Sequence, residues 1–243
     1  MIPKKIHYCW FGGAPLTTMA KKCIQSWKKY CPDYDIIEWN ESNYDIAKNQ
    51  YMKEAYDSKK WGFVPDYARL DIIYKYGGIY LDTDVELVKP LDELLKNFAY
   101  VGCERSGIVA LGLGFGAEKG NDLIYKMLCQ YNELHFLNEN GTPNLIPAPV
   151  HQTSLLKNYG LVESENIQEI LGVRVYPKEY FNPYDFDSGK ISLSKNTYSI
   201  HHYAASWTTT TNKINTVLYH ILYRLFGKKF AEKIKATRKI FRK

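Results

Sequence analysis

The sequence predicts an α/β fold around a mostly parallel sheet, and three observations carry this. Short apolar runs alternate with helical patterns. The connections between them exceed a dozen residues, which favours parallel pairing. One of the runs, Ile79-Tyr80-Leu81, is apolar throughout, as a strand covered on both faces must be.

Taken in order, Lys5 to Trp10 reads as a strand that breaks at Phe11-Gly12-Gly13-Ala14-Pro15. Met19, Cys23, Ile24 and Trp27 then recur at helical spacing until Cys31-Pro32, and Tyr34 to Trp39 reads as a second strand. A tyrosine-containing helix is expected around 44–59. The next helix opens with Pro65 at its first position, shows an apolar face at Leu70, Ile73 and Tyr74, and stops at Gly77-Gly78. The strand Ile79-Tyr80-Leu81 follows and runs straight into Asp82-Thr83-Asp84. Downstream the pattern predicts a helix near 91–96, a strand at 99–103, a helix at 121–135, and strands near 173–176 and 198–202.

Composition bounds the function. The 243 residues suffice for a substantial core, and 45% apolar with 24% charged residues is ordinary for a folded chain. The 21 tyrosines offer flat faces with polar tips, which suit ring-shaped polar ligands and equally suit packing near a surface. The five cysteines, Cys9, Cys23, Cys31, Cys103 and Cys129, contain no C-x-x-C pair, so they read as reduced core residues. There is no apolar run of spanning length and no secretory signal pattern at Met1-Ile2-Pro3-Lys4-Lys5, from which a cytoplasmic location is expected. The net charge of +6 collects after Tyr223.

The chemistry points to the aspartates. Two carboxylates one residue apart can share a divalent cation, and hard oxygen ligands favour magnesium or manganese. Such a cation neutralises a diphosphate as a bond to it breaks. A bare D-x-D triplet is more often a solvated loop, but this pair stands at the carboxyl end of a buried strand, where open α/β sheets bind ligands. Asp66 and Arg69, three apart on the preceding helix, share a face and reach either a ligand or only one another. His201 and His202 follow a late apolar strand, so one of them is a candidate third ligand, with Ser206 and Trp207 as phosphate donors. Gly112-Leu113-Gly114-Phe115-Gly116 has the wrong spacing for a dinucleotide fingerprint, so its glycines suit a tight turn or a close approach. His151-Gln152-Thr153 opens a helix after Pro147 and Pro149 and is a weak candidate for meeting a sugar or acceptor.

Four motifs in order, Ile2 to Gly13, Asp66-Tyr67-Ala68-Arg69-Leu70, Gly77 to Asp84, and His202 with Ser206-Trp207, resemble glycosyltransferase family 32. The resemblance runs from Ile2 to about Trp207. It implies a GT-A fold, a nucleotide-binding Rossmann-like sandwich, over residues 1–211. It also implies a retaining, metal-dependent transfer of a hexose from a nucleotide sugar to a glycan, of the kind used in capsular polysaccharide synthesis. A uridine diphosphate hexose is the favoured donor, with guanosine diphosphate mannose as the alternative. Residue by residue, Trp10 would stack on the nucleobase and Tyr80 line the donor pocket. Asp66 and Arg69 would hold the donor sugar, Asp82 the ribose or metal-bound water. Asp84 and His202 would ligate Mn2+ or Mg2+, with His201 the substitute, and Ser206 and Trp207 would meet the diphosphate.

Residues 212–243 form a basic amphipathic segment. Val217, Leu218, Ile221, Leu222, Leu225 and Phe226 recur at helical spacing among lysines and arginines. An anionic membrane surface and a lipid-linked acceptor are one expectation, packing on the domain the other; nucleic acid is not expected, because no reading module accompanies the charge. Two rival functions remain. A haloacid-dehalogenase-type phosphohydrolase wants Thr or Val two places after the second aspartate, where this chain has Glu86. A non-catalytic carbohydrate- or nucleotide-binding module would bind donor without turning it over.

Overall fold

Lys5–Cys9 forms β1, buried along almost its whole length. Helix α1 (Thr18–Tyr30) is started by Thr17, whose hydroxyl accepts from the Ala20 N–H at 3.1 Å, and it buries Ala20, Cys23, Ile24 and Trp27. This structure, a computed structural model, describes residues 1–204 and 210–240, with side chains for 1–204 and 215–234. Strand β2 (Asp35–Trp39) pairs parallel to β1. The helix expected over 44–59 is a short turn at Ile46–Lys48 followed by α2 (Gln50–Asp57). The break falls at Asn49, whose carboxamide caps α2 by accepting from Met52 N–H. Helix α3 (Pro65–Tyr76) is buried on every side from Asp66 to Ile73, including the charged Asp66, Arg69 and Asp71.

Gly77 and Gly78 take φ values of 64° and 108°, which turn the chain from α3 directly into β3 (Gly78–Tyr80). There follow β4 (Val85–Leu87), β5 (Ala99–Arg105), β6 (Ile108–Val109), β7 (Phe115–Ala117), α4 (Asp122–Gln130), α5 (Ala148–Lys157), β8 (Gln168–Ile170), β9 (Val173–Tyr176) and β10 (Ser199–His201). Among the described residues, the main sheet runs β2-β1-β3-β7-β5-β9-β8, with β6 paired to β5. The pairs β1/β2, β1/β3 and β5/β9 are parallel, while β7 runs antiparallel between β3 and β5. Since both neighbours oppose β7, β3 and β5 point the same way. A separate antiparallel ribbon joins β4 to β10.

Alternation along the strands divides the core into two layers. Tyr80, Val101, Phe115 and Val173 pack with α2, α3 and α4 on one face. Ile6, Tyr8, Ile79 and Tyr100 pack with α1 and Leu91, Leu94 and Leu95 on the other. The expected helix at 91–96 is a tight turn, Asp92–Lys96, too short to satisfy its own carbonyls in α-helical fashion. The helix expected to reach His135 stops at Gln130. Helices α6 (Thr210–Phe226) and α7 (Lys228–Ile240) close the chain. The first of these is tied to the 185–189 loop by Arg224 Nε donating to the Ser188 carbonyl at 2.6 Å. Among the described residues, no helix is long and apolar enough to cross a membrane.

Candidate functional site

Strands β1, β3, β5 and β9 deliver their carboxyl ends to one edge of the sheet, the edge where α/β folds place ligands. A cleft opens there, lined by Phe63, Asp66, Arg69, Asp82, Glu104, Leu111, Gly112, Gln152 and His201, among others. Five chain segments meet in it: the start of α3, the end of β3, the end of β5 with the loop behind it, the start of α5 with the residues before it, and β10.

Asp66 and Arg69 line one side. Both are nearly fully buried, and a guanidinium nitrogen of Arg69 donates to Asp66 Oδ1. Arg69 Nε donates to the Pro65 carbonyl at 3.1 Å, and Nη1 lies 3.8 Å from Asp82 Oδ2. Burial opposes the charge of Arg69, but Asp82 and Asp66 outweigh it and hold the group cationic. Burial pushes the Asp66 carboxyl up to about 7 against the pull of Arg69, and it raises Asp82 as well, again with Arg69 opposing. Tyr80 lies beneath the guanidinium, 5.4 Å from ring centre to Arg69 Cζ. It is buried in the core and packs directly behind the cleft residue Arg69.

The metal-ligating candidates converge. One ligand atom each from Asp82, Asp84 and His201 lies within 4.8 Å of the others. His201 Nε2 is 3.1 Å from Asp84 Oδ1, and the Ala204 N–H donates to Asp84 Oδ2 at 2.9 Å. Burial alone would raise the Asp84 carboxyl, but the facing imidazole and that N–H reverse the sign and hold it below the ordinary carboxylate value. Two carboxylates and an imidazole at this spacing fit a small divalent cation.

The histidine in the cluster is His201, where the expectation favoured His202. Adjacent residues of a strand face opposite sides. His202 therefore shares its face with Ile200 and, across the ribbon, with Glu86, and its Nε2 lies 2.7 Å from Glu86 Oε2. That carboxylate is also paired with Lys22 at 2.9 Å. Trp10 stands at the end of β1, half-buried, with its indole N–H donating to the Ala14 carbonyl at 2.6 Å; it is not part of the cleft lining. Ser206 and Trp207 lie outside the described residues.

Three contributors were hidden or faint in the sequence. Gly112 sits so close to the aspartate that a Cβ there would overlap Asp82 Oδ2 and approach Arg69 Nη1 to 3.3 Å. The glycine run carried that signal as a close approach, without its object. Gln152, nearly fully buried on α5, accepts from the Leu111 N–H at 3.2 Å and so holds the loop that presents Gly112. Glu104 carried no motif at all.

Comparison with known proteins adds an independent line. Residues 17–100 match the family model described as the glycosyltransferase sugar-binding region containing the DXD motif. Inositol phosphoceramide mannosyltransferase 3 of Schizosaccharomyces pombe is 34% identical over 136 residues, covering 52% of this chain and 36% of that protein. Inositol phosphoceramide mannosyltransferase 1 of the same yeast is 24% identical over 204 residues, covering 77% of this chain and 62% of that protein. The chain thus spans roughly one third to three fifths of the length of these curated relatives. Among solved structures, a glycosyltransferase involved in the glycosylation of the major capsid of PBCV-1 aligns over 82% of this chain and 93% of its own, with 14% identity and a TM-score of 0.46. The stretch matched by that family model, residues 17–100, holds α1, α3, β3 and the aspartate pair.

Proposed function

We propose that this protein is a retaining, metal-dependent GT-A glycosyltransferase that moves a hexose from a nucleotide sugar to a glycan acceptor. The observation that carries the reading is the Asp82–Asp84–His201 cluster, of which Asp82 and His201 line the cleft at the carboxyl edge of the sheet beside the buried Arg69. A divalent cation held there, Mn2+ or Mg2+, supplies neutralisation of the diphosphate oxygens and so stabilises the leaving group.

The chain's own groups then divide the work. Asp84 is kept ionised by His201 and the Ala204 N–H, which leaves it ready to act as a ligand. Arg69, held cationic between Asp66 and Asp82, presents a fixed positive charge to the donor, and Asp66 fixes its orientation. Ser206 and Trp207 would add donors to the diphosphate, and Trp10 a face for the base. In the front-face route we favour, the bond from the anomeric carbon to the diphosphate oxygen breaks. The acceptor hydroxyl bonds to that carbon on the same face, and its proton passes to the departing oxygen.

For the donor we infer a uridine diphosphate hexose. Guanosine diphosphate mannose is the second reading, favoured by the mannosyl transfer that the names of both yeast relatives state. We also infer that the basic helices contact an anionic membrane surface and bring a lipid-linked acceptor, such as a capsular precursor, to the cleft. Support comes from Val217, Ile221, Leu225 and Phe226, all exposed on α6, alongside Lys228 and Lys229. Cosedimentation with anionic but not neutral vesicles measures this.

The test of the main reading is incubation with manganese and a panel of nucleotide sugars. Slow donor hydrolysis is expected, since water replaces a missing acceptor, and Asp84→Ala should abolish it. Turnover unaffected by that substitution, or no turnover of any donor, overturns the proposal.

A further inference from the structure

Strand β5 carries an irregularity at its carboxyl end. Cys103 pairs with Val109 and Arg105 with Ile108, so two steps along β5 oppose one step along β6, and Glu104 is the extra residue. A bulge of this kind frees one residue from the alternation of the strand and re-aims its side chain. The backbone of the bulge is pinned, because the fully buried Asn182 donates its side-chain N–H to the Glu104 carbonyl at 2.9 Å. The Glu104 side chain lines the cleft, and among the described residues its carboxylate makes no hydrogen bond or ion pair. A half-buried carboxylate that opens into the cleft without a hydrogen-bonding partner is free to meet a polar ligand there.

Strand order sets it apart from the two aspartates, although His201 is near enough for its charge to act on the Glu104 carboxyl. Asp82 and Asp84 follow β3, and Glu104 ends β5; the two strands run the same way with β7 between them. Two strand spacings put their ends roughly 10 Å apart, the width of a sugar ring and its hydroxyls. Gln152 faces the same space. Its Oε1 is committed to the Leu111 N–H, while its Nε2 is buried without a partner among the described residues. A hydrogen-bond acceptor on β5 and an unspent donor on α5 therefore both belong to the cleft lining.

Resting on the transferase reading above, we propose that Glu104, with Gln152, forms the acceptor subsite: the carboxylate accepts from a non-attacking hydroxyl of an acceptor pyranose, and the Gln152 amide donates to a neighbouring oxygen. Glu104 is then a specificity-determining residue, and the bulge is the device that aims it. Burial raises its carboxyl above the ordinary value, consistent with a group waiting for a hydrogen-bonding partner.

The experiment uses the full chain with manganese, the nucleotide sugar it hydrolyses fastest, and methyl α- and β-glucopyranoside, galactopyranoside and mannopyranoside as acceptors. Wild-type protein should transfer to at least one glycoside. Glu104→Gln should cut that transfer at least about tenfold further than it cuts hydrolysis of the same donor, through a higher KM for the glycoside, and Glu104→Asp should recover part of the loss. An unchanged ratio of transfer to hydrolysis in both Glu104→Gln and Glu104→Ala overturns the inference. So does a wild-type protein that hydrolyses donor but uses none of the glycosides. If the wild type neither hydrolyses nor transfers, the transferase reading falls and takes the subsite with it.

Discussion

Arg69 is shared by two carboxylates: it is hydrogen-bonded to Asp66, three residues earlier on α3, and stands 3.8 Å from Asp82 beyond β3. One buried cation therefore balances a buried acid, Asp66, and a half-buried one, Asp82, and removing it leaves both uncompensated. Arg69→Met should destabilise the fold by about 3–5 kcal/mol, as a denaturant titration would record. Arg69→Lys keeps the charge but not the planar fork. It should fold, yet lower donor turnover by about 10–100-fold, the worth of one or two charge-assisted hydrogen bonds.

Gly112 admits the Asp82 carboxylate only because it has no side chain. Gly112→Ala should push Asp82 away from the cluster, costing about 1–3 kcal/mol in stability through overpacking. Donor hydrolysis should fall further than the melting temperature alone explains. A variant with wild-type turnover would show that Asp82 tolerates displacement.

The two adjacent histidines should behave differently. His201→Ala removes an imidazole from the aspartate cluster and should weaken manganese binding at least about tenfold by calorimetry. His202→Ala breaks only the half-buried pair with Glu86, which Lys22 still partners, and should cost about 1 kcal/mol or less while leaving manganese affinity intact.

His7 gives the fold an acid limit. Its ring is buried on β1, with Nε2 donating to the Gly77 carbonyl at 3.0 Å and Nδ1 accepting from the Trp39 indole at 3.1 Å. Burial depresses its pKa to about 4. As pH falls from about 6.5 towards 4 the unfolded chain takes up a proton that the native state refuses, so stability falls with pH, by up to about 3 kcal/mol. His7→Gln, which cannot titrate, should flatten that part of the stability curve relative to wild type.

Much of this fold was legible because its early half is built from local signals. Met19, Cys23, Ile24 and Trp27 mark α1 by their spacing, Pro65 opens α3, the paired glycines close it, and an apolar triplet announces β3; each can be read within a window of about a dozen residues. Asp66, Arg69, Asp82 and Asp84 were found for that reason. The identity of the imidazole was not local. It depends on the register of β10 against β4, and a shift of one residue would exchange His201 for His202. Strand β7 escaped notice because Phe115-Gly116-Ala117 reads as turn material. Its glycine is needed because a Cβ there would come within 2.7 Å of the Tyr100 ring. Glu104 gave no signal, since a bulge is a property of the pairing of two strands and neither strand announces it alone.

The β4–β10 ribbon means that the Asp82–Asp84–His201 cluster is completed from a strand more than a hundred residues downstream of the aspartates. A nascent chain that has emerged only through β9 already carries both aspartates but lacks their imidazole. Translation must pass His201, and that last strand must dock, before the three side chains stand together.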